Sequence, residues 1–338
     1  MKRTLILSLL ISLGIFSQGS EDTIVNYLGN IKVGTPIAYK NLKIFPILAL
    51  KNLSLQDYIT LDQAMTKDWL KIREAGSGEV NFVEVKNCGN KMVFILTGQM
   101  LRGAKQDRML QEDLLIPANS SWIRVPVYCV EHGRWTQVTP EFKSEGLLVP
   151  NAVRGKAKNS ESQSEVWNEI ASSQDKLGVV SGTGTVRANY EDAEVKKAID
   201  EYSDKFKTLP KLSPSTIGVV VVTGDQIIGL DIFANNGLLN RFWDKLIKSY
   251  AMDALSGVEG TIHKDDIEEL IEALENSNCV SQGTPGLGEL IKLETDFGKG
   301  SALVYKNALI HLDFFPSADF NDDPELKLDF RRNERLDD

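Results

Sequence analysis

The sequence is poor in cysteine and histidine and lacks the short motifs of several common enzyme classes. It has three residues of each type among 338, too few cysteines for a disulfide-rich scaffold. It contains no HExxH, Walker phosphate loop, GxSxG or CxxC pattern. The histidines His132, His263 and His311 stand far apart, so no metal site is predicted from them.

The three cysteines leave two interpretations open. In an oxidising compartment, one pair among Cys88, Cys129 and Cys279 could form a disulfide and leave one thiol free. The other interpretation is that they are buried free thiols, because unpaired cysteine packs as a small apolar residue.

Basic residues are outnumbered by acidic ones, 38 to 47, which gives a formal charge of −9. Nucleic acids and anionic membranes require neutralising lysine and arginine, so neither is expected as the main partner. A small anionic ligand in a local basic pocket remains compatible with this balance.

The N-terminus has the layout of a signal peptide. Lys2 and Arg3 precede an apolar run over residues 5–16, and small or polar residues follow at 17–20. The run is shorter than the roughly 20 residues that span a bilayer, which argues against the alternative of a membrane anchor. Cleavage near Gly19 would produce an exported protein, periplasmic or secreted, without a stable membrane anchor.

Strand pairs dominate the rest of the chain. Predicted pairs are 80–85 with 92–96, 114–116 with 122–130, 217–222 with 227–233, and 302–305 with 309–314. Gly224 and Asp225 are a strong turn signal for the third pair.

Helices are predicted where apolar residues recur at spacings of three and four. They cover a segment capped by Ser54 and reaching Ile72, then 164–174, 195–206, a segment capped by Asn236, and 267–274. The polar stretches 143–162 and 178–188 are predicted to be loops. These elements predict an α+β fold of mostly antiparallel sheets, built from hairpins, with helices packed on one side.

Four segments are predicted along the chain. Residues 1–19 are the signal peptide, and residues 24–256 form an α+β domain. Residues 257–318 add a C-terminal helix and β-hairpin packed on that domain. The charged residues 319–338 are expected to be disordered.

Polar side chains concentrate where two predicted strands end, at residues 98–108 and 128–135. Loops held by rigid strands commonly carry binding groups. Lys105, Arg108 and Arg134 could donate to phosphate or carboxylate, and Gln106 lies among them. Trp135 could stack on a flat ligand. The alternative is a structural network in which acidic neighbours neutralise the arginines.

Three further side chains are candidates for chemistry. Glu131 could act as a general acid or base if its pKa is raised. Cys129 could be a nucleophile beside a cation, but it shares a strand face with Val125 and Val127, which is typical of a core residue. Asp231 is either a solvent-exposed strand residue or an acid that faces a ligand pocket.

The same residues resemble a known family. Residues 103–108, 123–127 and 129–135, with a Gln-x-x-x-Trp helix at Gln163 and later segments at 229–233 and 251–255, resemble the ARPP-type domain, named for ADP-ribosylglycohydrolase and rhodanese-phosphatase-superfamily-associated proteins. The resemblance covers roughly residues 28–256. It implies that Lys105, Gln106, Arg108, Glu131, Arg134 and Trp135 line the site. Asp107 and His132 depart from the family's usual Asn and Gln-like residues.

Two functions are therefore expected. The first is binding of a small phosphorylated or ribose-containing ligand, such as one like ADP-ribose, with catalysis left open. The second is a non-catalytic extracytoplasmic module that binds a protein or a glycan, with the polar cluster serving structure. No cofactor is identified from the sequence.

Overall fold

The computed structural model describes residues 17–51, 56–76, 78–257 and 260–317. Within them, eight α-helices occur: α1 Ser17–Leu28, α2 Leu61–Thr66, α3 Asn151–Ser160, α4 Gln163–Leu177, α5 Arg187–Glu191, α6 Ala193–Phe206, α7 Asn236–Ala254 and α8 Lys264–Glu275. The strands of the N-terminal half are β1 Ile31–Val33, β2 Ile37–Tyr39, β3 Leu42–Ala49, β4 Ile59–Thr60, β5 Leu70–Glu74, β6 Phe82–Asn87, β7 Val93–Ile95, β8 Gln99–Gly103, β9 Arg108–Leu110, β10 Leu114–Ile116, β11 Ile123–Cys129 and β12 Phe142–Leu148. Those that follow are β13 Thr216–Thr223, β14 Gln226–Phe233, β15 Asn278–Gly283, β16 Glu289–Thr295, β17 Gly298–Tyr305 and β18 Ala308–Pro316.

A large antiparallel sheet forms one layer, in the order β1-β3-β13-β14-β18-β17-β16-β15, with β2 paired to β3. Alternation along β13 sends Val219 and Val221 to one face and Val220 and Val222 to the other. The first face packs against α6 and α7, and the second packs against α1 and α8. The expected α+β class with mostly antiparallel sheets is confirmed, but this sheet has helices on both faces rather than one.

Two smaller sheets pack together as a second β unit. Their orders are β12-β8-β9-β11-β6-β5 and β10-β7-β4. A core that includes Val85, Val125, Ile95 and Leu114 lies between them. The opposite face of the six-stranded sheet packs against α3 and α4 through residues such as Met109 and Ile170. The polar segments predicted at residues 98–108 and 128–135 belong to strands of this sheet and to the loops that follow them.

The helix predicted to reach Ile72 is wrong beyond residue 66. Thr60 caps α2 in a capping box with Gln63, and Asp68, with φ of 54°, follows the helix end. Leu70 and Ile72 then face the core from strand β5. Their spacing of two is the period of a strand and does not fit a helical stripe. The predicted cap Ser54 lies outside the described residues.

Two predicted hairpins and one predicted loop are also wrong. Strand β6 pairs with β5 and β11, while β7 pairs with β10 and β4. Residues 143–162 are not loops, because they contain most of β12 and all of α3. Helix α3 buries Arg154 and Lys158, polar residues that reasoning from sequence assigns to solvent.

The hairpins β13–β14 and β17–β18 are confirmed, as are helices α4, α6 and α8. Helix α7 is capped by Asn235, whose side chain accepts from the N–H of Leu238 at 2.9 Å, rather than by Asn236. Residues 1–16 and the tail from 318 lie outside the described residues, so the signal peptide and the disordered tail stay predictions.

The segment after residue 257 contributes α8 and strands β15 to β18. Strand β18 lies between β14 and β17 in the large sheet. The division between a domain ending at 256 and an extension stays a prediction. In the part of the chain that the structure describes, no helix combines the length and apolar character needed to cross a bilayer.

Candidate functional site

Strands β9 and β11 bring the two polar segments together. They pair antiparallel, with Arg108 opposite Cys129, so the chain before β9 and the chain after β11 share one end of the sheet. Gln106 Nε2 donates to the carbonyl of Glu131 at 2.9 Å. The N–H of Asp107 donates to Glu131 Oε2 at 3.1 Å. The two loops are therefore tied to each other.

Glu131 is buried and has hydrogen bonds at both carboxylate oxygens. In addition to the Asp107 N–H, Oε2 accepts from Arg134 Nε at 2.8 Å, and Oε1 accepts from Thr183 Oγ1 at 3.0 Å. Burial acts to raise the pKa of Glu131, but the Arg134 hydrogen bond and charge and the Asp107 N–H outweigh it and hold the pKa below its ordinary value. An ionised, fully bonded carboxylate would have to give up a bond to act as a base.

Asp107 joins the same network from the other loop. Its Oδ1 accepts from Arg134 Nη2 at 3.1 Å, and its Oδ2 accepts from Arg187 Nε at 3.4 Å. Arg134 also donates to the backbone carbonyls of Ala104 and Thr136. Two carboxylates and two guanidiniums thus satisfy one another, which is the arrangement of a structural network.

Lys105 and Trp135 lie at the rim of this network. The Lys105 ammonium is 5.0 Å from the centre of the Trp135 ring, within the range of a cation–π contact. Half of the Trp135 surface is exposed. Of the predicted site residues, this tryptophan is the one whose face is most accessible for stacking.

Arg108 is fully buried and differs from Arg134 in its partners. Its Nη1 donates to Gln106 Oε1 at 3.0 Å. Its Nε and Nη2 have no hydrogen-bond partner among the described residues, and no carboxylate there pairs with it. A buried charge without such partners is costly, so these two nitrogens mark the least satisfied position in the cluster.

Asp231 lies in a second polar cluster. Arg154 donates to its two oxygens at 2.6 and 3.0 Å, the Tyr250 hydroxyl donates to Oδ2, and His311 Nε2 is 3.1 Å from Oδ1. His311 Nδ1 is 2.6 Å from Asp113 Oδ2. All five side chains are buried. The structure therefore brings together six of the seven predicted residues and places Asp231 in a different cluster. The roles of all seven stay predictions.

Burial acts to raise the pKa of Asp231, but the charges of Arg154 and His311 and their hydrogen bonds hold it well below its usual range. Burial opposes protonation of His311, but Asp113 and Asp231 raise its pKa to about 9. The imidazole is therefore held as a cation between two carboxylates. This arrangement favours a structural role for Asp231 over contact with a ligand.

A third group of charges continues from this cluster toward the surface. Lys158 Nζ donates to Glu112 Oε2 at 2.6 Å and lies 3.3 Å from Asp313 Oδ1. Lys292 donates to the other oxygen of Glu112. Reasoning from sequence missed these residues. The detectable signal was His311 and Asp313 alternating with apolar residues in β18, where charges on a core face require partners.

The cysteines occur as free thiols. Cys129 is buried, Cys88 is exposed and Cys279 is intermediate. Burial raises the pKa of the Cys129 thiol, and its sulfur is 3.4 Å from the carbonyl of Glu131. A raised pKa reduces the thiolate fraction, so Cys129 fits the core role inferred from its strand face.

Comparison with known proteins identifies a family. The family model of the ARG and Rhodanese-Phosphatase-superfamily-associated Protein domain, ARPP-1, matches residues 30–315. The matched region includes both polar clusters and strands β1 to β17. No curated protein and no solved structure matches the chain.

Proposed function

Since this chain belongs to the ARPP-1 family, we propose that it binds a small phosphorylated or ribose-containing ligand, with Arg108 as the group that holds the anion. The family's name links it to proteins of the ARG and rhodanese-phosphatase groups. The sequence around residues 1–19 further supports a site of action outside the cytoplasm, periplasmic or secreted.

The observation that carries this proposal is the free edge of the Arg108 guanidinium. Nε and Nη2 lie on one edge of the planar group, and both are without partners among the described residues. Two parallel N–H donors of this kind match two oxygens of a phosphate or carboxylate. A bound anion would supply both the missing hydrogen bonds and the missing countercharge.

The other site residues take supporting roles in this proposal. Trp135 would stack on a base or a sugar face at the exposed rim, next to Lys105. Gln106 orients Arg108 through the Oε1 contact, and Glu131 with Arg134 fixes the loops. Because Arg108 is fully buried, the loops must open for a ligand to enter, and association should be slower than about 10⁵ M⁻¹s⁻¹.

The pairing of Glu131, Asp107 and Arg134 supports the alternative function. A network that satisfies itself needs no ligand, and the lowered pKa of Glu131 is unsuited to acid–base catalysis at neutral pH. On this alternative, the protein is a non-catalytic extracytoplasmic module that binds a protein or a glycan through another surface.

The two functions predict opposite outcomes in titrations of the full chain with small anions. If Arg108 holds an anion, the full chain binds ADP-ribose and ribose 5-phosphate in calorimetry, inorganic phosphate competes, and Arg108→Met loses binding with little change in stability. Arg108→Lys keeps the positive charge but lacks the two parallel N–H donors, so it should weaken binding at least tenfold. Lys299→Met, which changes an exposed cation, should leave binding unchanged.

If the cluster is structural, none of these compounds binds. Arg108→Met then removes one hydrogen bond, to Gln106, and changes the free energy of unfolding by only about 1 kcal/mol. Absence of binding by the native chain would reject ligand binding at Arg108.

A further inference from the structure

A cleft of about 530 Å³ is lined by none of the residues of the polar clusters described above. It is bounded by α4, the C-terminal end of α7, the N-terminal end of α3 and the turn between β13 and β14. Met252 and Ile228 contribute apolar surface, while Glu169, Lys176 and Asp253 contribute charge. A concave site with a few convergent polar groups has the general form of a small-molecule site.

Asp253 lies at the meeting point of α7 and α3. Its Oδ2 accepts from the N–H of Ala152 at 2.6 Å, one of the N–H groups that the first turn of α3 leaves without a helical partner. Its other oxygen has no hydrogen-bond partner among the described residues. Asp253 therefore offers one carboxyl oxygen to the cleft.

Helix α4 presents two charged side chains to the same cleft. Glu169 and Lys176 are seven residues apart, so they lie on one face of the helix with Ser173 between them. In the described part of the chain, neither Glu169 nor Lys176 forms an ion pair or side-chain hydrogen bond. Both interact electrostatically with Asp253. An anion would meet a single lysine here, whereas a cation would meet three carboxyl groups, since Asp225 also lines the cleft.

We infer that this cleft binds a small aliphatic amine, with its ammonium group between Asp253 and Glu169 and its hydrocarbon chain over Met252 and Ile228. The site is separate from Arg108, so this inference is independent of the proposed function. The lining has apolar surface for a chain of methylene groups and carboxyl oxygens that accept from N–H donors.

Binding should be coupled to the release of a proton. Burial raises the pKa of Asp253 to about 8, and the charge of Glu169 adds to the rise, while the Ala152 N–H, Lys176 and Arg154 oppose it. An ammonium ion favours the ionised carboxylate, so the proton and the amine compete. The titratable or charged groups around Asp253 are Glu169 and Lys176 on α4, Arg154 on α3, Tyr190 on α5 and Asp225 in the turn after β13.

The expected pH dependence follows from that competition. Alkylamines stay charged to about pH 10, so the change arises on the protein. With a group that titrates near pH 8, affinity should rise roughly tenfold between pH 7 and pH 9.

Isothermal titration of the full chain with 1,5-diaminopentane tests the inference, with pentane-1,5-diol as the neutral ligand of the same length. We expect saturable binding of the diamine, tighter at pH 9 than at pH 7, and no binding of the diol. Titrations at pH 7 in two buffers of different ionisation enthalpy should show proton release.

Matched variants separate the site from general attraction of a cation to an acidic protein. Asp253→Asn can still accept from the Ala152 N–H, and it should weaken binding at least tenfold at pH 9 and remove the pH dependence. Glu169→Gln should weaken binding, whereas Asp200→Asn, an exposed acid on α6 outside the cleft, should not. Absence of diamine binding, or equal weakening by all three variants, would overturn the inference.

Discussion

The buried carboxylate of Asp231 allows the sharpest test of the fold. Replacing it with Asn keeps the shape but removes the charge that faces Arg154 and His311. The new amide would also direct N–H groups at side chains that are themselves donors. All three side chains are buried, so water cannot take over the lost role.

The expected loss is about 3–5 kcal/mol in the free energy of unfolding, the usual cost of removing one partner from a buried ion pair. Total stability of a domain is about 5–15 kcal/mol, so Asp231→Asn should leave only a marginally stable protein. Two hydrogen bonds from Arg154 and one from Tyr250 depend on this carboxylate, which places the estimate toward the upper part of the range.

Urea unfolding, followed by circular dichroism at neutral pH, measures this loss. The control is Glu294→Gln, which neutralises an exposed partner of Lys299 and should cost less than about 1 kcal/mol. A loss for Asp231→Asn no larger than that of the control, with an unchanged denaturant slope, would refute the reasoning that the network neutralises buried charge.

Two further predictions concern the same sheet. The pKa of His311 is raised from 6.5 to about 9, so its contribution, about 3 kcal/mol, is fully present below pH 6.5 and is lost as pH rises through 9. Urea unfolding from pH 6 to pH 9.5 should show this decline in the native protein and a flatter profile in His311→Gln; parallel profiles would contradict it. Gly218→Ala should destabilise the fold by about 1–3 kcal/mol, because a Cβ there would lie 2.4 Å from the Asp231 carbonyl oxygen. Gly283→Ala, with open space around it, is the thermal-melt control, and equal melting temperatures for the two variants would count against the packing argument.

Elements with one unambiguous period were predictable from the sequence. Helix α6 has Val195, Ile199, Tyr202 and Phe206 on one buried face, and the β13–β14 hairpin has two apolar runs around a short turn. Local pattern was sufficient in both cases because most of the buried residues of each element are apolar and follow one regular pattern.

Pairing between distant strands was not predictable in the same way. Strand β7 has its partners at β10 and β4, and nothing in its three apolar residues specifies them. Helix α3 was missed because its buried positions include Arg154 and Lys158, whose charges are neutralised by Asp231, Glu112 and Asp313 from elsewhere in the chain. In a sequence, a buried lysine or arginine cannot be distinguished from an exposed one until its counterion is known.

The candidate loops illustrate the same limit. The polar residues at 105–108 and 131–135 are recognisable at two strand exits, and strand pairing brings them together. The sequence does not show that Arg134 pairs with two carboxylates while Arg108 pairs with none among the described residues. That difference depends on side-chain geometry at distances below about 4 Å, the range that defines an ion pair.

The position of β18 has a consequence for how the protein forms. Strand β18, the last strand of the described residues, lies between β14 and β17. A chain that has emerged only as far as β17 therefore leaves the edge of β14 open and Asp231 without His311. Until residues 308–316 arrive, the nascent protein therefore holds an unpaired strand edge, and Asp231 has Arg154 but lacks His311. Such edges invite pairing with other chains. Loss of a short C-terminal stretch that includes β18 would separate the large sheet into two halves rather than trim its border.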